Sequence, residues 1–311
     1  MADEVTGESF MEEELTIGQE PWSLPATLTL PRAGKTFPAV ILVHGSGPND
    51  RDETVGPNKP FRDLAWGLAS RGIAVLRYEK RTRQYAQRMA AMTNLTVFEE
   101  TIADVGEGFA VLAGDTRIQP LAIYVLGHSM GGYLIPRIAD YVPGLAGVVL
   151  WAASSRPLEE SMLEQIAYVS GLQETTDEVR TVLATMREQA LLIADVGRGE
   201  RDVAPMGVPA SYWRDLADYE PAAQFRAMTL PALVLRGAAD YQVTDEDFQR
   251  FEAGASNRSN VTLKQYPHLN HCFMWTEGER ATPSSYAQPG NVDEAVIADI
   301  AAWIHTGHTA P

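Results

Sequence analysis

The sequence contains a single cysteine, Cys272, among 311 residues. No internal disulfide is available, so the fold must rest on its apolar core, and a lone thiol fits a reducing compartment such as the cytoplasm. Positive charge is also scarce. The 25 Lys and Arg against 41 Asp and Glu leave a formal net charge of −16. Nucleic acid and anionic membranes both require clustered cations, so neither is an expected partner. No stretch approaches the roughly 18 consecutive apolar residues of a membrane-spanning helix. Met1 to Glu14 is acidic and lacks the apolar segment of a secretory signal, which again makes the cytoplasm the expected location. There is no internal repeat and no low-complexity segment. What remains is length for one large α/β domain or two small ones, with enough apolar residues for a sizeable core.

Periodicity supplies the organisation. Segments around Glu13–Gln19 and Ala26–Leu30 alternate and predict an antiparallel pair at a sheet edge. Pro38–Val43, Ile73–Leu76, Leu121–Leu126, Gly147–Trp151, Pro231–Gly237 and Val261–Tyr266 read as further strands, several of them the continuous apolar runs of a buried parallel sheet. Between them, Pro60–Ser70, Phe98–Ala113 (with Thr96 as its cap), residues 244–254 and Asn291–Ile304 carry helical spacing, and residues 82–97 read as a polar loop. Strands alternating with helices predict a mostly parallel, twisted sheet covered by helices on both faces. From Ser155 to about Arg226 the strand signal vanishes and helical patterns take over. The expected organisation is therefore a core in two parts, residues 1–154 and 227–311, interrupted by a helical cap over residues 155–226.

The most informative stretch is Gly127-His128-Ser129-Met130-Gly131, flanked by a strand before it and a helix after it. Strand, G-x-S-x-G, helix is the context of a nucleophile elbow, a turn so tight that the positions two residues from the serine must lack bulk. Ser129 is the expected nucleophile, and the backbone N–H of Met130 points into the same space. The strand ending at Val43 runs into His44-Gly45-Ser46-Gly47, where the N–H of Ser46 is the expected second donor to an oxyanion. His44 reads as a residue that fixes this loop rather than as a catalyst. The charged run Asp50–Glu53 has two readings, ordering the loop or facing the substrate.

A serine nucleophile needs a base and an acid that orients it. Of six histidines, His44 and His128 precede or abut the elbow, and His305 and His308 lie in the tail. His268 and His271 follow the last strand; His271, farther into the loop, is preferred, with His268 the alternative. Asp240 sits just past the Leu233–Arg236 strand, where functional groups gather in open parallel sheets. Asp245 and Asp247 instead suit capping or charging the first turn of the following helix.

His44 to Glu53, Gly127 to Gly132, Gly237 to Val243 and His271 together resemble an α/β-hydrolase, in particular bacterial members related to serine aminopeptidases and acyl esterases. The resemblance spans almost all of the chain beyond residue 20. It implies the α/β-hydrolase fold, a Ser129–His271–Asp240 triad, a cap over the site, and neither metal nor other cofactor. The expected activity is cleavage of a carboxylic ester through an acyl-enzyme, with an aminopeptidase-like or amidase activity as the alternative and a non-catalytic binding protein as a third reading. Expected partners are then a small-molecule ester of small to medium apolar acyl groups, no nucleic acid and no membrane, with room for a homo-oligomer. Tyr212 and Trp213 are expected substrate contacts. Met162 and Tyr168 of the insertion, and Phe273, Met274 and Trp275 after the base, are expected to form an apolar wall nearby, whereas Leu163 and Ile166 suit the core of the cap itself.

Overall fold

One sheet of eight strands runs through the protein: β1 (Phe10–Ile17), β2 (Leu24–Pro31), β3 (Phe37–Val43), β4 (Ala74–Tyr78), β5 (Ile118–His128), β6 (Gly147–Trp151), β7 (Ala232–Gly237) and β8 (Val261–Tyr266). Their spatial order is β1-β2-β4-β3-β5-β6-β7-β8. The pairs β1/β2 and β2/β4 are antiparallel, and every pair from β4 onward is parallel. The computed structural model describes residues 9–306. The polar start of the chain, residues 1–8, and His308 lie outside the described residues.

Side-chain alternation explains why the central strands are apolar throughout. Along β3, Ala39, Ile41 and Val43 enter the core on one face of the sheet, while Val40 and Leu42 enter the core on the other. The same holds in β6, where Val148 and Leu150 face one way and Val149 and Trp151 the other. Helices Pro60–Ala69 and Glu294–His305 cover the second face through Phe61, Leu64, Val296 and Ile300. Helices Ala103–Gly114, Ile135–Tyr141 and Asp245–Ala255 cover the first through Val105, Leu112, Ile138 and Phe251. The strand β8 shows the half-exposed alternation of an edge.

One expectation needs correction and one needs extension. Residues 82–97 are not a plain polar loop, because helices Arg81–Gln84 and Ala86–Ala90 occupy much of the segment. Met89 and Leu95 anchor it in the core, and the buried Arg81 guanidinium pairs with buried Asp104. Asp247 caps the first turn of helix Asp245–Ala255, as its position in the sequence suggests, and does more. It forms a capping box with Thr244, and its Oδ1 also accepts from Ser155 N (2.8 Å) while its Oδ2 accepts from Arg156 Nη2 (2.9 Å). Fully buried, it ties the start of the 155–226 segment to the core. That segment folds into helices Leu158–Gly171, Asp177–Gly197, Ala210–Leu216 and Pro221–Ala227, without a strand.

Candidate active site

Parallel pairing brings the C-terminal ends of β3, β5, β7 and β8 to one edge of the sheet. Val43 is level with Gly127, and Gly237 with Tyr266. The loops that leave these ends carry Ser46, Ser129, Asp240 and His271.

Ser129 sits between β5 and helix Met130–Tyr133 at φ 51°, ψ −113°, a conformation that is strained for a residue with a Cβ. Its N–H is held by the Trp151 carbonyl (3.0 Å). The glycines around it are required by close approach. A Cβ on Gly127 would lie 2.4 Å from the Gly131 carbonyl, and one on Gly131 would lie 2.4 Å from the Val43 carbonyl. The elbow read from sequence is therefore present, and Gly131 is what lets it pack against the end of β3.

His271 and Asp240 meet. Asp240 Oδ2 lies 2.6 Å from His271 Nδ1, while Asp240 Oδ1 accepts from the N–H groups of Gln242 (2.7 Å) and Val243 (3.2 Å). Asp240 is fully buried and His271 nearly so. The turn carrying His271 is shaped by Asn270, whose Oδ1 accepts from Cys272 N and Met274 N. It approaches β7 closely enough that a Cβ on Gly237 would sit 2.3 Å from the Leu269 carbonyl. His268, by contrast, is exposed and does not line the cavity described below.

Ser46 and Met130 flank Ser129. A Cβ on Gly45 would be 3.2 Å from the Ser129 Cβ, so the β3 loop is in contact with the elbow. Among the described residues, neither the Ser46 N–H nor the Met130 N–H has a protein acceptor. Both residues line a cavity of about 980 Å³ together with Ser129 and His271. The far wall of this cavity comes from the helical insertion: Leu158, Met162, Val208, Tyr212 and Trp213. Tyr212 and Trp213 are buried, and their polar tips are taken. Tyr212 Oη donates to Glu100 Oε2 (2.6 Å), and Trp213 Nε1 donates to the Pro205 carbonyl (3.3 Å). They are wall residues rather than a pocket lip.

The rest of the expected apolar wall is only partly there. Met162 lines the cavity, but Tyr168 does not, and neither do Phe273, Met274 and Trp275; Leu163 and Ile166, expected in the cap core, do not line it either. Phe273 is instead stacked on Trp151 at 4.8 Å, and Trp275 is 64% exposed. Phe273 takes φ 54°, a left-handed turn two residues after His271, and its ring packs in the core under Trp151 and beside Tyr266.

The charged run Asp50–Glu53 orders the loop. Asp50 accepts from Thr54 N and Oγ1, and Asp52 pairs with Lys59 and Arg77. Glu53, at φ 51° and almost wholly buried, accepts from Gly45 N (2.6 Å) through Oε1 and contacts His128 Nδ1 (2.8 Å) through Oε2. The other ring nitrogen of His128 faces the His271 carbonyl (3.1 Å). With Glu53 ionised, both nitrogens thus face acceptors, an arrangement that the doubly protonated imidazolium satisfies. Burial alone pulls the His128 pKa down, but the Glu53 carboxylate and the two hydrogen bonds more than offset it, so the pKa lies above its ordinary value. Glu53 responds in the opposite sense: burial raises its pKa, the His128 charge and hydrogen bonds outweigh this, and the carboxyl lies below its usual range. His44 packs between Phe61 and Tyr78, hydrogen-bonds the Asp50 backbone, and is driven by burial down to about 4. It is a loop-fixing residue, as its position in the sequence suggests.

Sequence reasoning missed the Glu53–His128 pair and a second buried pair, Lys80–Glu100 (2.9 Å). A signal existed for each. Lys80 follows β4 at its C-terminal end, where functional groups collect, and His128 is adjacent to the nucleophile. No cluster of residues suited to hold a metal ion occurs among the described residues. No described helix is long and apolar enough to cross a membrane.

Comparison with known proteins agrees with this geometry. The family model described as serine aminopeptidase, S33, matches residues 35–279. Esterase EstD of Thermotoga maritima is 40% identical over 306 residues, covering 98% of this chain and 70% of that protein. Among solved structures, the Pyrococcus furiosus esterase Pf2001 superposes with a TM-score of 0.60 at 17% identity, covering 98% of this chain and 96% of that one. Est1E from Butyrivibrio proteoclasticus gives 0.57 at 17% identity, covering 94% and 99%. An eight-stranded, mostly parallel sheet, a serine on a tight strand-to-helix turn and this family match together make the chain a hydrolase of the α/β-hydrolase superfamily, a member of the serine aminopeptidase S33 family.

Proposed function

We propose that this chain is a serine carboxylesterase that works through an acyl-enzyme. Ser129 Oγ attacks the ester carbonyl, and His271 takes its proton and returns it to the leaving alcohol. Asp240 fixes the imidazole tautomer by accepting from Nδ1, and the N–H groups of Ser46 and Met130 stabilise the oxyanion. Water then repeats the sequence on the acyl-enzyme. The observation that carries this reading is the convergence of Ser129, on its strained turn, and the buried His271–Asp240 pair on one cavity.

The lining of the cavity favours a neutral, largely apolar ester. No lysine or arginine lines it among the described residues, and both ring nitrogens of His128, which does line it, are taken by Glu53 and the His271 carbonyl, so an anionic substrate finds no free cationic anchor there. An aminopeptidase would need a free carboxylate for the substrate's amine. Asp50, Asp52, Glu53 and Glu100 are all engaged by protein donors, which supports the ester over the amide. The EstD likeness supports the same choice. Residues 155–226 act as a cap, with Tyr212 and Trp213 as the wall against which acyl or alcohol groups of small to medium size are buried. The single buried cysteine suits a cytoplasmic setting.

Labelling with a fluorophosphonate, followed by a panel of acyl esters and aminoacyl amides, tests the proposal. Wild-type protein should be labelled at Ser129 and cleave esters of short to medium chains far faster than any amide. Ser129→Ala should lose labelling and on the order of 10⁴- to 10⁶-fold in rate while keeping its fold. Retention of more than a tenth of the activity refutes the nucleophile. Faster turnover of an aminoacyl amide than of any ester refutes the esterase reading.

A further inference from the structure

The Gly45–Ser46 peptide is held at its carbonyl by two buried or half-buried donors. Lys80 Nζ donates to Gly45 O at 2.8 Å, and Asn49 Nδ2 donates to the same oxygen at 3.1 Å. Lys80 is almost completely enclosed, so its ammonium acts in a medium where such a bond is not screened by water. Its charge is balanced by Glu100 Oε1 at 2.9 Å. Glu100 Oε2 accepts in turn from Tyr212 Oη at 2.6 Å. The Lys80 backbone is fixed as well, with its N–H donating to the Asn49 carbonyl at 3.2 Å. Glu100 itself sits in a wide π turn, Phe98–Ile102, that opens the helix following it.

The carbonyl of Gly45 and the N–H of Ser46 belong to one planar trans peptide, so they point in opposite directions. A group that grips the carbonyl from behind aims the N–H forward. A cation on the carbonyl oxygen also draws electron density from the peptide and strengthens its N–H as a donor. On the reading that the Ser46 N–H receives the oxyanion, we propose that Lys80 is the positioning residue of that hole. Its ammonium orients and polarises the Gly45–Ser46 peptide, and the Lys80–Glu100–Tyr212 chain ties that peptide to the helix Ala210–Leu216 of the insertion. The preceding peptide is fixed independently, through the Gly45 N–H on Glu53 (2.6 Å), so Lys80 governs the donor peptide alone.

The effect belongs to the transition state, because charge reaches the carbonyl oxygen only there. Loss of a direct oxyanion donor costs roughly 10²- to 10³-fold in kcat. A group acting through that donor should cost less, about 10- to 100-fold. The test uses Lys80→Met and the double variant Lys80→Met/Glu100→Gln, in which no buried carboxylate is left without its cation. With a 4-nitrophenyl ester of a short acyl chain, both variants should show the fall in kcat with KM changed less than about threefold. The inhibition constant of a trifluoromethyl ketone, which forms a tetrahedral oxyanion on the serine, should weaken by the same factor as kcat/KM. That of the corresponding secondary alcohol, the reduced ketone, which has no carbonyl for the serine to add to, should not move.

Three results overturn the proposal: a kcat near wild type in Lys80→Met, recovery of kcat in the double variant, or a rise in KM with kcat unchanged. Should Lys80→Met fail to fold, the double variant decides by the same readings. Ser129→Ala assayed alongside separates this from the underlying reading: if it still hydrolyses the ester, the acyl-enzyme reading fails. If it is inactive while the Lys80 variants are normal, only the role of Lys80 fails.

Discussion

Replacing Glu53 by alanine removes a carboxylate that holds two parts of the site at once. Its oxygens accept from the Gly45 N–H and contact the His128 imidazolium, whose other nitrogen donates to the His271 carbonyl. Both charged groups are at most 5% exposed at the side chain, so the variant leaves an uncompensated buried cation and an unpaired N–H. Breaking a buried pair in this way costs about 3–5 kcal/mol. At roughly 2.1 cal/mol/K of unfolding entropy per residue, a protein of this length loses about 5–8 °C in Tm. Glu53→Gln should be far milder. Its carbonyl can take the Gly45 N–H and its amide can donate to Nδ1 of a neutral His128, which still donates from Nε2 to His271, so the loss should stay near 1 kcal/mol.

The pair also carries a pH signature. The folded pKa of Glu53 lies below its ordinary 4.5, so its contribution is present above pH 4.5 and is lost as pH falls through the lowered value. The folded pKa of His128 lies above its ordinary 6.5, so its contribution is complete below pH 6.5 and is lost as pH rises through the raised value. The stability gap between wild type and Glu53→Gln should therefore be widest between about pH 4.5 and 6.5 and should narrow on the alkaline side. Differential scanning fluorimetry across pH 4–10 reads both effects. A Tm for Glu53→Ala within about 1 °C of wild type, or equal losses for the alanine and glutamine variants, would refute a buried ion pair at this position.

Further outcomes follow from the same geometry. His271→Ala should be as inactive toward esters as Ser129→Ala, whereas exposed His268→Ala should keep most of its kcat; the reverse ranking moves the base three residues upstream. Gly131→Ala should fail to accumulate as folded protein or lose most activity, because its Cβ would lie 2.4 Å from the Val43 carbonyl; soluble, active Gly131→Ala contradicts the close approach. Trp213→Ala should raise KM for apolar acyl esters more than it lowers kcat, since it removes wall rather than chemistry, and an unchanged KM across acyl lengths removes it from the substrate surface.

What the sequence determined by itself is governed by short-range physics. The continuous apolar runs of β3, β6 and β7, the glycines at 127 and 131, and the strand-turn-helix context of Ser129 are all local features of a few residues. So is the helical character of residues 155–226. Chain order and loop position pointed to Asp240 and His271, and the structure brings the two side chains to 2.6 Å. The aromatic wall is legible only in part, because nearness in sequence to His271 does not place Phe273, which stacks on Trp151 in the core, or Trp275, which faces solvent, in the cavity. Nor could the sequence decide whether Asp50–Glu53 faces substrate or orders its loop, since the answer lies in partners as distant as Arg77 and His128. The Lys80–Glu100–Tyr212 chain and the grip of Asp247 on Ser155 and Arg156 join segments up to about a hundred residues apart. A buried charge is tolerable only where a partner meets it. That meeting is set by which strand ends lie side by side, and it was the tertiary structure alone that decided it.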